Sequence, residues 1–215
     1  MSAPKVLLRG AGLMVVDKPA GLPCHAGRAG GPCVEDFFPG WKTGRAGPWL
    51  AHRLDQDTAG CLIIALKKSA LLAAQALFAA GRVEKTYWAV VRGVPAAREG
   101  IVELPLAKHR WGRAWKMAPD ETAPPASTGW RLAGRGDGVS WLEFTPKTGR
   151  THQIRAHAAA LGHPILGDAV YGGGGGRLHL LARGISLPVE PALRAEAPVP
   201  EHMAVAMRDC GYDPL

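Results

Sequence analysis

Apolar and polar positions along the chain predict short strands interleaved with a few helices. Val6-Leu7-Leu8 and Leu13-Met14-Val15-Val16 flank Gly10-Ala11-Gly12, the pattern of a hairpin with a glycine turn. Asp17-Lys18-Pro19-Ala20-Gly21-Leu22-Pro23 breaks that pattern twice with proline and predicts a rigid loop. Cys24 to Trp49 is glycine-rich and aperiodic, hence loop, apart from one or two helical turns at Val34-Glu35-Asp36-Phe37-Phe38. Cys61-Leu62-Ile63-Ile64-Ala65-Leu66 is short, apolar and β-branched at its centre, so it reads as a buried strand.

Helical spacing follows from Ala70 to Ala80. Leu71, Gln75 and Phe78 share a face, Leu72, Ala76 and Ala79 lie beside it, Ser69 is the expected N-cap and Gly81 the stop. Strict alternation over Tyr87 to Arg92 predicts a half-buried strand. Residues 94–127 form an excursion closed by Pro124-Pro125, in which Ile101–Leu104 and Trp115–Met117 are strand-like and enclose Lys108, His109, Arg110, Trp111 and Arg113. This basic and aromatic mix suits either an RNA contact or a solvated hairpin tip. Thr128–Leu132 and Ser140–Thr145 predict an antiparallel pair, and a helix capped by Thr151 runs to Leu161, burying Ile154, Ala158 and Leu161 before Gly162 ends it. Five successive glycines, Gly172 to Gly176, predict a flexible loop; Arg177–Ala182 is a last strand, and a proline-spaced tail leads to a short helix near Glu201–Met207.

The chain has 215 residues, an amount that favours one domain, with or without a lobe. An apolar share of 47% is enough for a substantial core. A formal charge of +8 permits a polyanionic partner. Cys24, Cys33, Cys61 and Cys210 contain no C-x-x-C pair, which argues for a reducing compartment and against a closed zinc site. Neither a bilayer-length apolar run nor a signal peptide is visible, so a cytoplasmic location is expected. His152, His157 and His163 lack the i,i+4 spacing that would put ligands on one helical face, and no metal is expected.

Candidate chemistry concentrates in two stretches. His52-Arg53-Leu54-Asp55-Gln56-Asp57-Thr58-Ala59-Gly60 presents two carboxylates, an arginine and a histidine in a polar loop that feeds the buried strand, a rigid mount for a reactive group. Thr148-Gly149-Arg150-Thr151-His152-Gln153-Ile154-Arg155-Ala156-His157 supplies cations at a predicted helix start. Together they resemble the RluA-like branch of the pseudouridine synthases, whose patterns are H-R-L-D-x-x-T-S-G and G-R-x-H-Q-I-R-x-H. Asp17-Lys18-Pro19-Ala20-Gly21, Glu84–Gly93 and Gly162–Gly172 match further family patterns in the same order, so the resemblance spans roughly residues 10 to 190. Two positions depart from it: Ala59 stands where the family usually has serine, and Leu180-Leu181-Ala182 lacks the histidine of an L-H-A pattern, which leaves the alignment of His179 open.

The resemblance implies a single catalytic domain over residues 1–215, without a separate N-terminal RNA-binding module, in the α+β class: a curved, mainly antiparallel mixed sheet flanked by helices and loops around a central catalytic cleft. It implies isomerisation of uridine to pseudouridine in structured RNA, tRNA or rRNA, with base flipping and no cofactor. Asp55 is then the catalytic carboxylate and Arg155 its ion-pair partner. Tyr87 packs on the target uracil and is the candidate base for the C5 proton. His52, Arg53, Arg150, His152, Gln153, Lys18 and Lys85 are the expected RNA-binding side chains, with His52 also ordering its loop and Arg53 filling the gap beside the flipped nucleotide. Asp57 is the rival carboxylate, but it falls on a variable position of the family pattern. Lack of an added module favours a compact substrate such as a tRNA arm, and a monomer is expected. The rival reading is a catalytically silent RNA-binding module on the same fold.

Overall fold

Every residue of the strand Ala59–Ala65 (β4) is buried, and the first half of the chain is built on it. The computed structural model describes residues 2–27, 30–112 and 114–213, and among them the side chains of all but Trp111 and Ala114. Arg113, one of the basic residues of the excursion, lies outside that set, as does the Trp111 side chain. Two compact units are resolved, residues 1–85 with 181–198, and residues 86–180 with 199–215. Each contains strands and helices, and the class is α+β with mixed, mostly antiparallel pairing, as expected.

In the first unit Lys5–Gly10 (β1) and Leu13–Lys18 (β2) form the predicted hairpin, and Ala11 and Gly12 turn it with φ of 51° and 71°. β2 pairs antiparallel with β4, from Leu13 opposite Ala65 to Lys18 opposite Gly60. The other edge of β4 is shared. Trp49–Leu50 (β3) takes its C-terminal end, and Leu180–Leu187 (β11) runs parallel to its N-terminal end, Leu181 opposite Ala59. Leu193–Glu196 (β12) adds antiparallel to β11. Neither β3 nor β12 was visible in the apolar pattern; β3 is two residues long and β12 is flanked by proline. Gly60 lies at the β4–β11 contact with φ 108°, and a Cβ there would come within 2.3 Å of the Ala182 carbonyl oxygen. Only glycine fits.

The helical pieces keep to their predicted places with changes at the caps. A 3₁₀ turn at Val34–Phe37 leads into the short helix Phe38–Trp41 (α1). Lys68–Ala79 (α2) begins one residue before Ser69, so Lys67 is its N-cap and no side chain caps it. Its buried positions are Leu71 and Ala74, whereas Leu72 is exposed.

The second unit holds the strand Glu84–Arg92 (β5) from Thr86 onward, with Glu99–Glu103 (β6), Ser127–Arg135 (β9) and Val139–Pro146 (β10), in the order β5-β10-β9-β6 and antiparallel throughout. Leu106–Trp111 (β7) and Ala114–Pro119 (β8) make a separate two-stranded hairpin. Lys108, His109 and Arg110 therefore lie on a strand rather than at a tip, Lys108 opposite Met117. Gln153–Ala160 (α3) packs Ile154 and Ala158 into a core with Val91, Leu142, Phe144 and Ile165, and Leu161 closes against it. Its N-cap is His152, not Thr151, and no side chain caps it. Glu201–Asp209 (α4) buries Met203 and Met207. No described helix is long and apolar enough to cross a membrane.

Candidate active site

Asp55 sits in a loop fastened at both ends to the first unit. Upstream, the His52 ring nitrogen Nε2 accepts a hydrogen bond from the backbone N–H of Ile63 at 3.0 Å, and its ring lies against Phe78 at 4.9 Å. Burial, with the Lys85 charge second, pushes the His52 pKa down to about 4. A ring nitrogen that accepts a backbone proton cannot also carry one, so the hydrogen bond and the burial both favour a neutral imidazole. The expected loop-ordering role of His52 therefore has a physical basis. Downstream, Thr58 N–H donates to the Asp55 carbonyl at 3.2 Å, a tight turn that returns the chain to β4.

Lys18 holds the middle of the same loop. Its side chain is fully buried, and its ammonium donates to the carbonyl oxygens of Pro19 at 3.0 Å, Leu22 at 2.8 Å and Gln56 at 2.8 Å. An ammonium has three protons, and these three bonds use them all. The Gly21 N–H bond to the Gln56 carbonyl at 3.0 Å and the Cys24 thiol bond to the Leu54 carbonyl at 3.4 Å add to the tie. Lys18 departs here from the expected RNA contact: it staples the Asp17–Pro23 loop to the residue following Asp55. Burial lowers its pKa to about 8, opposed by Cys24, Asp57, Asp55 and Asp17. Arg53 is exposed, and with His52, Trp49, Leu50 and Gln75 it lines a groove of about 560 Å³ within this unit.

Arg155 belongs to the second unit, near the start of α3. It is buried, and its Nε and Nη2 bond both carboxylate oxygens of Asp168, each at 2.8 Å. Such a bidentate pair fixes the plane of the guanidinium as well as its position. Burial alone would push the Asp168 carboxyl up; the Arg155 hydrogen bond and charge, with backbone N–H groups of Tyr171 and Val170, hold it below the ordinary carboxylate range. Asp168 is a residue the sequence reading passed over. Its only signal in the sequence is its place in Gly162–Gly172, one of the stretches that match the family patterns.

Gln153 also turns inward. Its Oε1 accepts from the Thr148 hydroxyl at 2.7 Å and the Arg150 N–H at 2.9 Å, while Nε2 donates to the Ser127 carbonyl at 3.0 Å and the Thr128 hydroxyl at 2.9 Å. A buried amide with both ends saturated has nothing left for RNA, so Gln153 departs from its expected role and pins the Thr148–Gln153 loop to β9. His157 is likewise internal, held by the Thr128 hydroxyl at 2.9 Å and the Leu104 carbonyl at 3.0 Å. Arg150 is exposed, with Nε on the Pro125 carbonyl at 3.3 Å. His152 is partly exposed and stacks on Trp115 with ring centroids 5.2 Å apart. Tyr87, opposite Phe144 across β5 and β10, packs partly buried against the core of this unit. Lys85 is partly buried, which lowers its pKa. Among the described residues no group of His, Cys, Asp and Glu could hold a metal.

Each unit thus carries one of the two motif stretches on a loop held by internal hydrogen bonds: Asp55 in the first, and Arg155, paired with Asp168, in the second. The model of the RNA pseudouridylate synthase family matches residues 12–160. A relative from Zymomonas mobilis, an uncharacterized RNA pseudouridine synthase, is 37% identical over 98% of this chain and 98% of its own length. The dual-specificity RNA pseudouridine synthase RluA of Yersinia pestis is 36% identical over 77% of this chain and 81% of its own. Among solved structures, human RNA pseudouridylate synthase domain containing 4 superposes with a TM-score of 0.82 at 26% identity, covering 96% of this chain and 92% of that one. Other relatives are longer: the chain spans 64% of a Synechocystis RNA pseudouridine synthase and 54% of the ribosomal large subunit pseudouridine synthase C of Buchnera aphidicola from Acyrthosiphon pisum. The chain belongs to the RNA pseudouridine synthase family, and its members are isomerases that convert uridine in RNA to pseudouridine.

Proposed function

We propose that this protein isomerises particular uridines in a structured RNA, tRNA or rRNA, with Asp55 as the catalytic carboxylate and no cofactor. The reaction breaks the N1–C1′ bond of the nucleotide, turns the base and rejoins it to C1′ through C5. The proton lost from C5 is balanced by one gained at N1, so composition is unchanged and no redox partner or energy source is needed. One observation carries the choice of Asp55. Its neighbour Gln56 is gripped by the buried ammonium of Lys18, and its loop is anchored at His52, so the carboxylate is mounted on fixed backbone in the motif that bears the family's catalytic aspartate.

Arg155 is the cation assigned to Asp55 in this reading. Fixing by Asp168 supports it, because a guanidinium already held in one orientation loses little freedom on taking a second acid. Tyr87 offers a flat face for uracil and a hydroxyl for the C5 proton. The target base leaves its stack at a cost of a few kcal/mol. Arg53, exposed beside a groove of nucleotide scale, fills the space it vacates. Arg150, His152 and Lys85 supply further RNA contacts. The four cysteines are free thiols, which supports the cytoplasm as the place of action. A compact tRNA arm as substrate and a monomeric enzyme complete the reading.

Asp55→Asn tests the reading, since it keeps the shape and removes the charge. Incubated with transcribed tRNA and rRNA fragments, the wild-type chain is expected to place pseudouridine at discrete sites. The variant should bind the same RNA and form none. Product from the variant would reject Asp55, and RNA binding by wild type with no product would leave a silent binding module.

A further inference from the structure

Tyr171 joins the β7–β8 hairpin to the arginine assigned to catalysis. Its hydroxyl accepts a hydrogen bond from the backbone N–H of Met117 on β8 at 2.9 Å. The same oxygen lies 3.2 Å from His152 Nδ1, and one proton with two lone pairs lets a phenol serve both. Beneath the Arg155 guanidinium, the Tyr171 ring lies 5.4 Å from its central carbon, within cation–π range. Tyr171 N–H donates to Asp168 Oδ1 at 3.1 Å, and Asp168 is the acid that grips Arg155. One residue thus touches the hairpin, the guanidinium and the acid that holds it.

A second bridge runs alongside. Trp115 on β8 stacks on the His152 ring at 5.2 Å and 18° between planes, and Lys108 on β7 places its ammonium 4.2 Å from the Trp115 ring centre. His152 is the N-cap of α3 and takes φ 51°, a left-handed conformation rare for a residue with a side chain. Backbone of that kind persists where surroundings hold it, and here the hairpin and Tyr171 do so. Arg155 follows three residues later on the same helix. The hairpin is a sheet of its own, and β7 carries Lys108, His109 and Arg110, side chains suited to phosphates.

We propose that the β7–β8 hairpin is a substrate-sensing element, coupled through the positioning residues Tyr171 and Trp115 to Arg155, so that RNA engaged by the hairpin sets the arginine for catalysis. The substrate class is an RNA whose folded part reaches the hairpin while its uridine is in the site; a short single strand that cannot reach it is turned over slowly. This rests on the assignment of Arg155 as the catalytic cation.

Single-turnover rates at saturating RNA, dissociation constants and urea midpoints are measured for the full chain and for Tyr171→Phe, Trp115→Ala, Trp115→Phe and the double variant Trp115→Ala/Tyr171→Phe. Tyr171→Phe keeps the ring under Arg155 and removes only the hydroxyl. It is expected to lower the rate roughly threefold to tenfold, the worth of one hydrogen bond, with binding unchanged. Trp115→Ala should do likewise and Trp115→Phe should recover most of the rate. The double variant should be little worse than the worse single one, because both act along one route. Trp115 is 38% exposed, so its variants carry the test should Tyr171→Phe not fold. Unchanged rates, additive losses, or losses confined to affinity would each overturn the coupling. An Arg155→Ala control with full turnover would instead remove the assignment beneath it.

Discussion

Ala59 and Leu181 are register partners across the parallel β4–β11 pair, and both are buried. In the resemblance drawn from the motifs, Ala59 stands where the family usually has serine, and Leu181 takes the middle place of the L-H-A pattern. The departures thus meet in space: an apolar pair stands where the pattern has two polar residues. Exchanging both partners of a buried polar contact is nearly neutral, whereas exchanging one strands the other.

That gives the first prediction. Ala59→Ser alone buries a hydroxyl opposite a leucine and should cost about 1–2 kcal/mol in a urea titration. Combined with Leu181→His, the serine should be partly compensated, so that a double-mutant cycle shows favourable coupling. Strictly additive costs would mean that the two positions do not communicate.

Lys18 is the second. Lys18→Met keeps most of the volume and withdraws the ammonium from three carbonyl oxygens. A loss of about 2–4 kcal/mol is expected, with a larger fall in turnover than in RNA affinity, because the Asp55 loop loses its staple. A variant with wild-type stability would refute the stapling role.

His52 sets a pH dependence. Its folded pKa, about 4, lies below the usual 6.5, so the unfolded chain binds the extra proton more readily. Stability contributed by this group is therefore complete above pH 6.5 and is lost as pH falls from there through about 4. His52→Gln should flatten the stability profile across that window and leave it unaltered above. An unchanged slope would show that other groups govern the acid limb.

Gln153→Leu supplies the fourth. Four internal hydrogen bonds disappear and several buried partners are left without a donor or acceptor. The urea midpoint should fall by an amount equivalent to about 2–4 kcal/mol. A loss seen only in RNA affinity, at full stability, would restore Gln153 to the RNA-binding set.

How far the fold could be read from the chain depended on whether a signal was local. The hairpin of Leu8 and Leu13, the all-apolar β4 and the Ile154–Ala158–Leu161 face of α3 carry their periodicity within a few residues, and they stand where expected. β12 lacked the needed length and hid among prolines. Lys18 and Gln153 looked like surface groups because nothing nearby tells a lysine or an amide that distant carbonyls and hydroxyls will surround it. Asp168 as the clamp on Arg155 was hidden for the same reason. The motifs singled out candidate residues, and tertiary contacts decided which of them, Lys18 and Gln153 among them, turn inward.

All four thiols are interior, and Cys24 sits directly under the Asp55 loop with its sulfur on the Leu54 carbonyl. Burial pushes its pKa up, and that of Cys61 in β4 to about 12. An alkylating reagent should therefore reach neither while the chain is closed. Because the two cysteines lie in a loop and in a fully buried strand, their labelling rates form a built-in clock that times local breathing of the loop against global unfolding, with no foreign probe attached.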